Sequence, residues 1–212
     1  AARRAGARLR RIAGWIARRV GGRAGEEAPT PAPQAGRHCA GGRGFVAGRL
    51  TVTVGAAKAY VGLGANLGDP EAALGSAIVA LRGIDATEVV RCSGLYRSAS
   101  IGAEGPDYLN AVAELRTSLA PLALLAELQR IEAAHGRVRS HRNAPRTLDL
   151  DLLLYADKCS ATNALTLPHP RLHERAFVLL PLAEIAPGLV IPGLGAVVDL
   201  LPAMAGQRID KL

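Results

Sequence analysis

The chain has 212 residues, of which 49% are hydrophobic, 21% charged and 3% aromatic, with 24 Gly and 13 Pro. That apolar share excludes a wholly disordered polymer, the lack of a glycine period excludes collagen, and no run of 18 apolar residues is present to span a membrane. The formal net charge is +8, yet residues 1–57 carry 11 Arg and 2 Glu of the chain's 26 basic and 18 acidic side chains, leaving 15 basic and 16 acidic for residues 58–212. The body is therefore neutral, and the phosphate-seeking field that a nucleic-acid partner would require is not expected of it.

Residues 1–57 read as a basic, low-complexity leader, expected to be disordered, and residues 58–212 as the folded domain. Within the leader, Leu9, Ile12, Ala13, Ile16 and Val20 fall on one helical face, with Arg4, Arg8, Arg11 and Arg18 towards the other. Such a segment resembles an organelle transit peptide; the alternative is upstream sequence without structure, taken in by a misplaced start. EEAPTPAP (26–33) reads as a linker. Cys39, Cys92 and Cys159 lie far apart with no C-x-x-C, which argues against a zinc knuckle or a disulfide framework and for a reducing, cytoplasmic setting.

From Lys58 the texture changes. AYVGLG (59–64) is a candidate buried strand, and a helix is expected from Pro70 to about Arg82 with Asp69 as its N-cap. Residues 87–97 and 108–117 read as two strands that pair across the loop SASIGAEGP (98–106). Residues 121–135 form the strongest helical pattern, capped by Ser118 and ended by Gly136. After a basic loop, RVRSHRNAPR (137–146), comes the strand TLDLDLLLY (147–155). LPHPRLHERAF (167–177) leads to a helix near Leu172, and the turn-rich tail ends in a short helix near 198–204. Strands and helices in this alternation indicate an α/β or α+β sandwich.

The strand 147–155 carries the strongest chemical signal. Side chains alternate along a strand, so Leu148, Leu150, Leu152 and Leu154 share one face while Asp149 and Asp151 share the other, roughly 6.5–7 Å apart. Two like charges side by side suit a cation between them, and Mg²⁺ favours one or two carboxylates plus substrate phosphates. A half-exposed strand whose polar face meets solvent is the other reading of a bare D-x-D. Arg137, Arg139, His141, Arg142 and Arg146 immediately precede it, and guanidinium groups bind phosphate in a bidentate fork. Together they point to phosphoryl or nucleotidyl chemistry, which is largely positioning and charge neutralisation.

His169 and His173 are four residues apart, but Pro168 and Pro170 forbid a helix across His169 and no further ligand completes a zinc site. The His and Arg of this stretch read as additions to a phosphate site, with a capping or surface role open for Arg171 and His173. In GLGANLGD (62–69) the spacing is G-x-G-x-x-x-G, not the dinucleotide fingerprint, and as a strand-to-helix turn Gly62, Gly64 and Gly68 need no ligand. Tyr108 and Phe177 are either core or faces for a flat heteroaromatic substrate, whose amide-like edge Asn110 would read.

AYVGLGANLGD, GPDYLNAV, LLAELQRIEAAHGRVR, RNAPRTLDLDLLLY and LPHPRLHERAFVLLPLAEIAP resemble, in this order, the 6-hydroxymethyl-7,8-dihydropterin pyrophosphokinase family of folate biosynthesis. The resemblance implies an α+β, ferredoxin-like sandwich with a mainly antiparallel central sheet and helices on both faces. It implies pyrophosphate transfer from ATP to 6-hydroxymethyl-7,8-dihydropterin by a monomer, with no nucleic-acid or membrane partner. By the same resemblance Asp149 and Asp151 hold two Mg²⁺ ions, with Arg137 and Arg146 as catalytic cations. Ser98, Ile101, Tyr108, Asn110 and Phe177 match the pterin side. Gln129, Glu132, Arg139, Leu152, Leu165, Thr166, His169 and Arg175 match the ATP side. The chain departs from the family where Asn143-Ala144 replaces a common Trp-Gly and where Ala65 replaces a common serine.

Overall fold

The computed structural model describes residues 55–100, 105–136 and 146–212. The leader up to residue 54, Ile101, Arg137 and Arg139 lie outside the described residues.

A β-α-β-β-α-β succession forms the domain: β1 (Ala57–Ala65), α1 (Pro70–Arg82), the broken strand β2 (Thr87–Cys92) and β3 (Tyr96–Ser98), β4 (Tyr108–Thr117), α2 (Pro121–Ala134) and β5 (Asp149–Tyr155). Beyond it come β6 (Ser160–Ala161), β7 (Thr166–Leu167), a 3₁₀ turn (Leu172–Glu174) and α3 (Ala176–Ile185), then β8 (Val190–Ile191) and β9 (Gly195–Ala196). The chain closes with α4 (Val197–Leu200), a second 3₁₀ turn and β10 (Ile209–Lys211). The sheet order is β10-β3-β4-β1-β5, with β2 also on β4, and every pairing is antiparallel. This is the expected ferredoxin-like arrangement, in which β4 lies between the first two strands of the succession.

Local chemistry sets the element ends. The Asp69 carboxylate accepts from Ala72 N at 3.1 Å, Pro70 takes the first turn of α1, and Gly68 turns the chain at φ +67. Ser118 does not cap α2: Ala120 occupies the N-cap in an extended conformation with no side-chain bond, because Pro121 already fixes the first turn. The expected strand over 87–97 is interrupted, since Ser93 N donates to Val112 O while Ser93 Oγ accepts from Val112 N.

Two apolar layers cover the sheet. On one face Leu74, Ile78 and Leu81 of α1 and Leu124, Leu128 and Ile131 of α2 pack on Val61, Leu63, Leu115, Leu150 and Leu152. On the other, Val178, Leu179 and Leu182 of α3, with Ile191, Val197 and Met204, pack on Tyr60, Val112, Leu153 and Leu154. Leu154 therefore joins the opposite core from Leu150 and Leu152. The register shifts between Tyr60 and Val61, which pair with Leu154 and Leu152, so Leu153 is an extra residue and the alternation resets after it. Asp149 and Asp151 precede the bulge and stay in phase.

The free edge of β5 is covered. Glu132, buried in α2, accepts from Leu150 N at 2.7 Å, and His169 N donates to Leu153 O at 2.9 Å. A buried carboxylate lacking such donors would cost several kcal/mol.

Candidate active site

The α3 side of the sheet is open at one end. A cleft of about 840 Å³, counted out to open solvent, is lined by Ser98, Tyr108, Asn110, Arg146, Asp149, Asp151, Arg171, Arg175 and Phe177. Its floor is Gly62 and Gly64, which belong to β1 and not to the strand-to-helix turn that their spacing suggested. Gly62 pairs with Asp151, and Gly64 pairs with both Asp149 and Asn110. A Cβ at Gly64 would lie 3.5 Å from Asn110 Oδ1 and 4.0 Å from Asp149 Cβ, so any longer side chain there would grow into the cleft.

At the acidic end, Arg146 Nη1 lies 2.8 Å from Asp149 Oδ2. Arg175 Nη1 lies 3.6 Å and His169 Nε2 3.9 Å from Asp151 Oδ2. The His169 pKa is pushed down from the ordinary 6.5 to about 4 by burial and then by the Arg175 charge. The ring is therefore neutral at physiological pH. Its Nδ1 accepts from Arg171 N at 3.2 Å, which leaves the hydrogen on Nε2, towards Asp151.

At the opposite end, the Asn110 amide nitrogen donates to Ser98 Oγ at 3.0 Å and to Tyr96 O at 3.3 Å. With its donors engaged, Asn110 presents its carbonyl oxygen to the cleft. Arg175 lies over the Phe177 ring at 5.5 Å from the centroid. Burial raises the Tyr108 pKa, against the lowering effect of the nearby Arg146 guanidinium.

Of the residues singled out from sequence, Ser98, Tyr108, Asn110, Arg146, Asp149, Asp151, Arg175 and Phe177 meet in this cleft, with His169 beside Asp151. Five others do not line it. Gln129 is exposed on α2, Thr166 is exposed on β7, Leu152 and Leu165 enter the core beneath α1 and α2, and Glu132 secures β5 from below. Ile101, Arg137 and Arg139 fall outside the described residues. Asn66 escaped notice: its amide donates to Pro106 O at 3.2 Å and accepts from Arg146 N at 2.9 Å. Its only trace in the sequence is an asparagine at the exit of a strand.

The donor set suits Mg²⁺. Asp149 and Asp151 are hard oxygen ligands on one face, and among the described residues no three His, Cys, Asp or Glu side chains gather as a complete metal cage. Two carboxylates that leave further coordination to water and substrate phosphate are the arrangement magnesium favours. Among the described residues no helix is long and apolar enough to cross a membrane.

A family model described as 7,8-dihydro-6-hydroxymethylpterin-pyrophosphokinase matches residues 60–187. The 2-amino-4-hydroxy-6-hydroxymethyldihydropteridine pyrophosphokinase of Haemophilus influenzae is 44% identical over 155 residues, 73% of this chain and 97% of that one. The protein of the same name from Pseudomonas aeruginosa is 43% identical over 156 residues, 73% of this chain and 96% of that one. Among solved structures, Plasmodium falciparum HPPK-DHPS with pterin and p-hydroxybenzoate superposes with a TM-score of 0.55 at 13% identity over 69% of this chain. The match spans 43% of that longer protein, under half its length, and speaks for the fold alone.

Proposed function

The chain belongs to the 7,8-dihydro-6-hydroxymethylpterin-pyrophosphokinase family, and from that membership we propose how its own residues carry out the reaction. The enzyme transfers pyrophosphate from ATP to 6-hydroxymethyl-7,8-dihydropterin in folate biosynthesis, with AMP as the second product.

The assignment of residues rests on one observation: two carboxylates on one face of β5 share a cleft with three arginines and a glycine floor. The pterin lies over Gly62 and Gly64 with its ring against Phe177 and its amino edge donating to Asn110 Oδ1. Ser98 holds that amide in its orientation. Asp149 and Asp151 would hold magnesium, two ions in this reading, which when bound would supply charge neutralisation for the triphosphate. Arg146 lies against Asp149 and Arg175 against Asp151, which places both guanidiniums to face the transferring phosphates.

The pterin hydroxymethyl oxygen attacks the β-phosphorus in line. A new O–P bond forms, the bridge to the α-phosphate breaks, AMP leaves, and the hydroxyl proton passes to water. The neutral His169, locked in one tautomer by Arg171 N, donates its Nε2 hydrogen towards the Asp151 side and takes no proton itself. Arg137 and Arg139 are assigned to the same phosphates from the sequence pattern. Gln129, Leu152, Leu165 and Thr166 are assigned to the adenosine end, beyond the cleft described here. The same reading has the enzyme act as a monomer.

An assay of AMP release from Mg·ATP tests the reading. Release is expected only when the pterin alcohol is supplied and should stop when magnesium is chelated. AMP release at equal rate without pterin would overturn it.

A further inference from the structure

We propose that Arg171 is a phosphate-binding residue for Mg·ATP, a refinement that rests on the residue assignment just given. Arg171 lines the same cleft as Asp149 and Asp151 but differs from the other two described arginines there. Arg146 and Arg175 are each paired with a cleft carboxylate, at 2.8 and 3.6 Å. Arg171 is instead anchored from behind: its Nε lies 3.1 Å from Glu174 Oε2, and Glu174 is outside the cleft lining. That anchor uses one edge of the guanidinium. Among the described residues Glu174 is the carboxylate paired with this guanidinium.

The backbone of Arg171 is fixed as well. Its N–H donates to His169 Nδ1, and the neighbouring Leu172, fully buried, begins the 3₁₀ turn. A guanidinium held along its Nε edge from outside the cleft, on a backbone fixed by His169, is preorganised to meet an oxyanion with its remaining edge. The charge inventory points the same way. Of the three arginines in the described lining, Arg146 and Arg175 each have a carboxylate beside them within the cleft, whereas the partner of Arg171 lies outside it. The pterin is uncharged and its recognition groups lie at the Asn110 end. A triphosphate is the anionic partner that this cation fits.

Arg171→Ala, Arg171→Lys and Glu174→Gln test the assignment, with KM for each substrate measured by AMP release. Thermal unfolding serves as the check on folding. Arg171→Ala is expected to raise KM for Mg·ATP about ten- to a hundredfold while KM for the pterin stays within about twofold. Arg171→Lys should recover only part of the loss, because an ammonium keeps the charge but not the fork. Glu174→Gln should raise KM for Mg·ATP a few fold by loosening the anchor. Titration calorimetry of Mg·ATP binding gives the same comparison without turnover, so a wild-type protein that binds ATP but releases no AMP would sink the reaction assignment and leave this one decided. ATP affinity of Arg171→Ala within twofold of wild type, or equal losses for ATP and pterin, would overturn the role of Arg171.

Discussion

Asn66 and Arg146, 80 positions apart, hold each other through two hydrogen bonds: Asn66 N donates to Arg146 O at 3.2 Å, and Arg146 N donates to Asn66 Oδ1 at 2.9 Å. The same side chain donates to Pro106 O, so one buried amide ties the end of β1 to the chain entering β4 and to the chain entering β5. Asn66→Ala strips the partner from one backbone donor and one backbone acceptor. It should cost about 2 kcal/mol in urea unfolding and lower kcat by letting the Arg146 backbone drift. A loss under about 0.5 kcal/mol would show the clamp to be idle.

Asp151 is half-exposed, and its neighbours Arg175 and His169 stand off at 3.6 and 3.9 Å. Its removal relieves repulsion with Asp149 as much as it breaks pairs, so Asp151→Ala should unfold within a few degrees of wild type. Turnover should fall about 10³-fold, the scale of losing a preorganised electrostatic contact to the transition state. Near-normal turnover in magnesium buffer would remove Asp151 from the metal site.

Gly64 tests the cleft floor. A Cβ there makes only ordinary contacts, so Gly64→Ala should fold and retain turnover within several fold. Gly64→Val adds two methyls aimed into the cleft while suiting a strand, so KM for the pterin should rise at least about tenfold with little change in stability. Equal pterin affinity in the valine variant would place the pterin elsewhere.

Glu184 gives the pH prediction. Burial alone would raise its pKa, but hydrogen bonds from Lys211, Tyr96 and Gly94 outweigh that and hold the carboxyl below its ordinary 4.5. Between the two values the unfolded chain binds the proton that the folded chain refuses. The stabilisation is therefore complete above about pH 4.5 and is lost as pH falls through the folded value. Urea unfolding of Glu184→Gln should show a stability deficit at pH 7 that narrows towards pH 3. A deficit independent of pH would assign the contact to packing.

The sequence by itself determined the elements whose causes are local. Strand alternation put Asp149 and Asp151 on one face, Asp69 and Pro70 started α1, and the ordered motifs identified the family and its ferredoxin-like succession. Leu154 fell on the wrong side because a bulge at Leu153 depends on pairing with β1, nearly a hundred residues away. The floor role of Gly62 and Gly64, the clamp at Asn66 and the place of Arg171 in the cleft were decided by tertiary structure alone. Each depends on which atoms other strands and turns bring within a few ångströms, and no spacing along one segment encodes that distance.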